Sequence, residues 1–320
     1  MKISDWVMQF LVKQGVHHVM LLAGGGAMHL VDSLGRNKEL TYVNFLHEQA
    51  AGFAAEGYSQ FSGLGVCLVT SGPGGTNAVT SCAAAWCNGS PVLFISGQVN
   101  TGDIRSENQR FNGVQEIDII EIVRPITKYC RRLLDPENTM ATFGIAVHEA
   151  ISKRQGPVWV DIPLDIQAAD TTCAIKQVIP YQYYDDFDLE MVMDYIDEAK
   201  KKVVLIGHGA AIYREVVLNF VHKFRSLHPL LTWRAIDLFD GLRPGILSSP
   251  EANKELQSAD LVLCLGARMD KETVGYDYGN FAPKAVKIVV DIDEAELEKL
   301  PDDWVKIKTD CKYFMEKMIG

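Results

Sequence analysis

The stretch Thr41-Tyr-Val-Asn-Phe-Leu-His47-Glu48-Gln-Ala-Ala-Gly-Phe-Ala-Ala-Glu-Gly57-Tyr58 passes from a β-rich apolar run into an alanine-rich helix, and it places Glu48 at the helix entrance. A second run, Gly65-Val-Cys-Leu-Val-Thr70, has the length and composition of a buried strand. It leads into Ser71-Gly-Pro-Gly-Gly-Thr-Asn77, whose glycines and proline let the backbone come close to a ligand before the next helix begins. In a parallel α/β sheet both passages fall at the C-terminal strand edge, where ligands bind. Taken singly, each residue also has a structural use. Glu48 suits the helix dipole, Thr70 ends a strand, Pro73 starts a helix, and Asn77 fits an exposed first turn.

Working outward, strand and helix periods alternate. Strands are expected near 17–22, 41–46, 65–70, 91–96 and 157–161, with helices between them, the pattern of a parallel sheet covered on both faces. The segment from Asp165 to Asp188 shows no sustained helical period and carries tyrosines and acids, as an interdomain connection would. A second unit opens with a helix at about 188–200 and the strand Lys202-Val-Val-Leu-Ile-Gly207. The turn Gly207-His-Gly209-Ala-Ala follows, and it lacks the third glycine of a dinucleotide-binding turn. The expected fold is therefore α/β, with two doubly wound parallel-sheet domains at 1–170 and 188–320 joined by a linker at 171–187.

At 320 residues the chain is long enough for two cores. Its net charge of -10 and the lack of a basic tract argue against a nucleic-acid-binding surface. No segment reaches the roughly 20 apolar residues of a membrane span, and the N-terminus lacks a signal-peptide centre, so a cytoplasmic protein is expected. Seven cysteines form no CxxC pair and read as reduced thiols, without a metal site.

The paired blocks resemble the pyrimidine-binding domain of thiamine-diphosphate enzymes of the acetolactate synthase type, in which HEQ-x-A-x-x-x-AEGY is followed by TSGPG-x-TN. Pro91-Val-Leu-Phe-Ile-Ser-Gly-Gln98-Val, Gln115-Glu116-Ile-Asp118-Ile, Arg124-Pro-Ile-Thr-Lys and Gly156-Pro-Val-Trp-Val-Asp-Ile-Pro163 match that family in the same order. The resemblance implies that Glu48 holds the aminopyrimidine ring nitrogen of thiamine diphosphate, so that the cofactor can lose its thiazolium proton. Thr70, Pro73 and Asn77 would line that ring. Gln115 would reach the reacting centre, and Ala23, Gly24 and Gly25 stand at cofactor-binding positions. Val43, Phe45, Leu46, Ala50 and Ala51 are the apolar flank expected to exclude water around Glu48.

Two departures bear on the acceptor. Val114 stands where acetolactate synthases carry an aromatic residue, and Ala23 replaces the proline of a Pro-Gly-Gly segment. The string GGGAMHLVDSLGRN resembles a subgroup that transfers an acetyl unit from pyruvate to a keto-sugar nucleotide. A second 2-keto acid stays open as acceptor. In the second unit, Ser258-Ala-Asp-Leu-Val-Leu-Cys-Leu-Gly-Ala-Arg268 and Val289-Val-Asp291-Ile-Asp293-Glu-Ala-Glu-Leu resemble the family's Rossmann-like central domain. There Arg268 would face the pyrophosphate of FAD or pair with a carboxylate, and the family leaves FAD, ADP or no nucleotide open.

No Gly-Asp-Gly strand end followed by an asparagine pair occurs between Met1 and Gly320. The diphosphate and its magnesium are therefore expected on a domain outside these residues, in a longer polypeptide or a separate chain. The resemblance also implies a homodimer or tetramer. The rival expectation is a non-catalytic fragment or assembly module that keeps the fold.

Overall fold

A computed structural model describes residues 1–181, 183–245 and 249–320. The chain divides into two compact units, Met1–Tyr181 and Gln182–Gly320. Position 182 of the expected linker lies outside the described residues.

The first unit is built on a six-stranded parallel sheet of order β2-β1-β3-β4-β6-β5. Its strands are β1 (His18–Leu21), β2 (Thr41–Asn44), β3 (Gly65–Val69), β4 (Val92–Gln98), β5 (Tyr129–Arg132) and β6 (Val158–Pro163). The helices are α1 (Ile3–Lys13), α2 (Met28–Arg36), α3 (Glu48–Ser62), α4 (Pro73–Asn88), α5 (Ile119–Val123), α6 (Thr139–Ile151) and α7 (Leu164–Ala168). β3, β4 and β6 are buried at every residue, which is why they read as mainly apolar runs, with Ser96, Gln98 and Asp161 as the buried polar exceptions. One face packs Trp6, Phe10 and Phe143 between α1 and α6, and the other stacks Phe94 on Trp159 with ring centroids 4.9 Å apart.

Two strands differ from the sequence expectation. β2 is exposed at all four residues, because it is the edge of the sheet and only β1 lies beside it. β5 is not among the expected strands. Its run Tyr-Cys-Arg-Arg carries too much charge to read as apolar, yet it closes the opposite edge by pairing with β6. Beyond α7 the chain stays on this unit. The Trp6 indole donates to the Cys173 carbonyl at 2.8 Å, and the Gln14 amide bridges Lys176 O and Val178 N.

The second unit holds a five-stranded parallel sheet of order β11-β10-β9-β7-β8. Its strands are β7 (Lys202–Ile206), β8 (Leu227–Leu231), β9 (Leu261–Leu265), β10 (Val286–Asp291) and β11 (Val305–Lys308). Around it run α8 (Leu189–Glu198), α9 (His208–Ala211), α10 (Arg214–Lys223), α11 (Pro250–Gln257), α12 (Lys271–Val274), α13 (Glu294–Glu298) and α14 (Cys311–Ile319). Phe220 and Phe314 fill one side of the sheet, and Phe281 and Trp304 the other. No helix among the described residues is long and apolar enough to cross a membrane. None of the seven cysteines is in a disulfide. Cys67, Cys82, Cys264 and Cys311 are buried, whereas Cys87 is exposed.

Candidate active site

Because every strand of the first sheet runs the same way, the chain leaves β1, β2, β3 and β4 at one edge. Phe45 N donates to Leu21 O at 2.9 Å, which ties the end of β2 to β1, and the chain then turns into α3. His47 caps that helix, its Nδ1 accepting from Gln49 N at 3.1 Å, so Glu48 is the first helical residue. Glu48 is only 7% exposed. Its Oε2 accepts a hydrogen bond from Asn77 Nδ2 at 3.0 Å.

That pair meets because α3 and α4 approach closely one turn further on. A Cβ added to Gly52 would fall 1.9 Å from the Ser81 hydroxyl, and Gly52 and Ser81 lie four residues after Glu48 and Asn77 on the same helix faces. Pro73 starts α4 as its first, exposed residue. Thr70 follows directly on β3, and its Oγ1 accepts from Gly26 N at 3.0 Å. Gly24 lies against the same side chain, where an added Cβ would fall 2.6 Å from the Thr70 Cβ and Cγ2. Ala23 and Gly25 are exposed beside it.

The loop after β4 returns to this edge. Gly72 has φ of +55°, and a Cβ there would fall 2.2 Å from the Gln115 carbonyl oxygen, so glycine is required both by the backbone angle and by the approach. Gln115 itself is exposed and held at φ of +59°. Val114 next to it is 87% exposed. Glu48, Thr70, Asn77, Gly24 and the Gln115 backbone thus gather around the Gly72–Gly75 turn. Arg268 belongs to the other unit, where it lies 3.6 Å from Glu296.

The apolar flank differs from expectation. Ala51 is buried, but Val43, Leu46 and Ala50 are exposed, with Leu46 98% so. Val43 lies on the edge strand β2, Leu46 in the turn that follows it and Ala50 in the first turn of α3. Glu48 is recessed by the α3–α4 contact instead. Its charge reaches the buried Cys67 thiol, whose pKa is raised by burial first and by the carboxylate second.

A polar network under the returning loop escaped the sequence reading. Asp161 of β6 is fully buried, and it accepts from Ser96 Oγ at 2.7 Å, Gln98 Nε2 at 3.2 Å and Arg132 Nε at 2.8 Å. The Trp159 indole donates in turn to Ser96 Oγ at 2.8 Å. Burial pushes the Asp161 carboxyl above its ordinary range, with Arg132 and the hydrogen bonds opposing. A carboxylate inside the apolar run Val158-Trp-Val-Asp-Ile-Pro163 was the available signal, and its cation sits on the strand that sequence missed.

Chemically, the recess offers one carboxylate held by a neutral amide, beside backbone that approaches without side chains. This donor set fits a flat heterocycle with a protonatable ring nitrogen. Among the described residues no group of His, Cys, Asp and Glu side chains could hold a metal ion.

Comparison with known proteins bears on this geometry. Residues 1–122 match the family model described as thiamine pyrophosphate enzyme, N-terminal TPP binding domain, and residues 189–318 match thiamine pyrophosphate enzyme, central domain. The chain is 31% identical to acetolactate synthase isozyme 1 large subunit of Escherichia coli, an alignment covering 99% of this chain and 57% of that protein. It is 33% identical to the acetolactate synthase large subunit of Corynebacterium glutamicum, over 93% of this chain and 49% of the relative. Against the chloroplastic acetolactate synthase of Arabidopsis thaliana the identity is 32%, over 98% and 48%. The chain therefore spans about half the length of the curated relatives it matches.

Proposed function

Because the chain belongs to the thiamine pyrophosphate enzyme family, as its N-terminal TPP-binding and central domains, we propose that it is part of an enzyme that decarboxylates a 2-keto acid and transfers the remaining acyl unit to a carbonyl acceptor. The observation that carries this reading is the recessed Glu48 carboxylate held by Asn77. Pyruvate is the donor we favour, on the names of the acetolactate synthase relatives. In the reaction the donor C1–C2 bond breaks, C2 bonds to the acceptor carbonyl carbon, and a proton ends on the acceptor oxygen. No oxidant or reductant is needed.

When bound, thiamine diphosphate supplies the electron sink that lets carbon dioxide leave the keto acid. The residues of this chain bind and orient. Glu48 would share a proton with the ring nitrogen through Oε1, while Asn77 keeps Oε2 occupied and the carboxyl plane fixed. Thr70, Pro73 and the Ala23–Gly25 segment would line the ring, and Gln115 would face the reacting carbons. The diphosphate and magnesium would be held by sequence outside these residues, a reading supported by the greater length of the relatives. A flavin on the central unit would need Arg268 released from Glu296, and the proposed chemistry requires none.

The exposed Val43, Leu46 and Phe53 beside Glu48 support a further part of the proposal, a homodimer or tetramer in which a second surface covers the flank. Free thiols suit a cytoplasmic setting. For the acceptor, a keto-sugar nucleotide or a second 2-keto acid is proposed. Val114 and Ala23 favour the bulkier one, since they stand where acetolactate synthases carry an aromatic residue and a proline.

The test is carbon dioxide release from pyruvate by the full-length protein with thiamine diphosphate and magnesium. Glu48→Gln should lower it by about 100-fold or more. Undiminished release by that variant would overturn the role of Glu48, and no release by the wild type would overturn the enzymatic reading.

A further inference from the structure

Arg132 reaches two carboxylates. Its Nε donates to the buried Asp161, and its terminal nitrogen donates to Asp118 at 3.1 Å. Asp118 stands immediately before α5, where an aspartate would ordinarily cap the helix, yet its side chain makes no capping bond. It is turned to the guanidinium instead. On the other side Gln98 Nε2 donates to Ile117 O at 2.9 Å as well as to Asp161. Both Ile117 and Asp118 are thus pinned to the ends of β4, β5 and β6 by groups that converge on one buried charge.

The pinned residues end the loop that carries Gln115. Glu116, 4% exposed, closes it by accepting from Asn112 N at 3.2 Å, and Glu116 N donates to Gly113 O at 3.2 Å. The Gln115 carbonyl then sits on Gly72, and Ile119 packs on Gly75, two residues of the turn that leads to Asn77. Gln115 is held in the left-handed region, a backbone state that a free loop would leave. We propose that Arg132, braced by Asp161 and acting through Asp118, is a positioning residue that sets Gln115 against the Gly72–Gly75 turn and so governs the transfer half of the reaction. This rests on the reading of Gln115 given above.

The test uses the full-length protein and two variants. Asp118→Ala cuts the tie without touching the buried pair. Arg132→Gln combined with Asp161→Asn removes both charges together, so that neither is left alone in the core. Amide exchange at Glu116 and Ile119 should rise about tenfold in both, with α3 and α4 unchanged. Transfer to the acceptor should fall about tenfold, chiefly in the acceptor KM, while carbon dioxide release from pyruvate stays within about twofold. Adding Gln115→Ala to Asp118→Ala should cost nothing beyond Gln115→Ala alone. Unchanged exchange in both variants, or losses that multiply with Gln115→Ala, would overturn the proposal. Should the wild type release no carbon dioxide, the enzymatic reading falls and the exchange measurement still decides whether Arg132 positions the loop.

Discussion

Asn77 is exposed as a residue and still directs its amide inward to Glu48, so its value lies in one hydrogen bond rather than in burial. A carboxylate only 7% exposed that lost this donor would have one oxygen unpaired, at a cost of about 1–3 kcal/mol. Asn77→Ala is therefore expected to destabilise the first unit by that amount in denaturant unfolding. It should also lower carbon dioxide release by about tenfold, since the carboxyl plane is no longer set. Asn77→Asp should be worse for activity than Asn77→Ala, because two carboxylates would then face each other at about 3 Å. Equal activity of the wild type and Asn77→Ala would show that the α3–α4 packing alone orients Glu48.

At the scale of single elements, the turn from β7 into α9 carries a titratable group with a clear sign. His208 has its pKa lowered from 6.5 to about 4, by burial first and by the nearby Arg234 guanidinium second. Its folded-state pKa lies below its unfolded one, so the neutral ring contributes stability that is fully present above pH 6.5. That stability is lost as pH falls through about 4. The second unit should lose roughly 2–3 kcal/mol across this window, allowing for partial solvent screening. His208→Gln should flatten the pH dependence of its thermal midpoint between pH 6.5 and 4. A slope identical in the variant would assign the acid sensitivity to other groups. The Gly-His-Gly turn, which in sequence lacks the third glycine of a dinucleotide-binding turn, opens a helix of only four residues. A helix this short contributes little macrodipole to hold a pyrophosphate.

At the scale of the whole molecule, each of the four hydrophobic clusters found among the described residues lies inside one unit. Trp6, Phe10 and Phe143 belong to one cluster of Met1–Tyr181 and Phe94 with Trp159 to another, while Phe220, Phe314, Phe281 and Trp304 serve Gln182–Gly320. A unit that buries its own core can in principle fold alone. Residues 1–181 and 183–320 expressed separately should each give a cooperative thermal transition with the circular dichroism of an α/β domain. Truncating the first unit at 170 instead should weaken it, because Trp6 and Gln14 lose their partners at Cys173, Lys176 and Val178. Equal midpoints for the 1–170 and 1–181 pieces would show that this segment only rests on the surface.

What sequence alone determined was whatever depends on neighbours along the chain. The alternation of apolar strands with helices, the start of α3 at Glu48, the Pro73 opening of α4 and the resemblance to thiamine-diphosphate enzymes all follow from local spacing and motif order. Strand order was not local, and it decided the rest. Placing β2 at an edge exposed Val43, and the turn after it exposed Leu46, so that the recess of Glu48 came from the Gly52–Ser81 approach of two helices rather than from the expected flank. Placing β5 beside β6 brought Arg132 to Asp161, a pairing 29 residues apart in sequence that no periodicity announces. Burial and hydrogen-bond partners are properties of which elements become neighbours, and only tertiary packing assigns neighbours across the sheet.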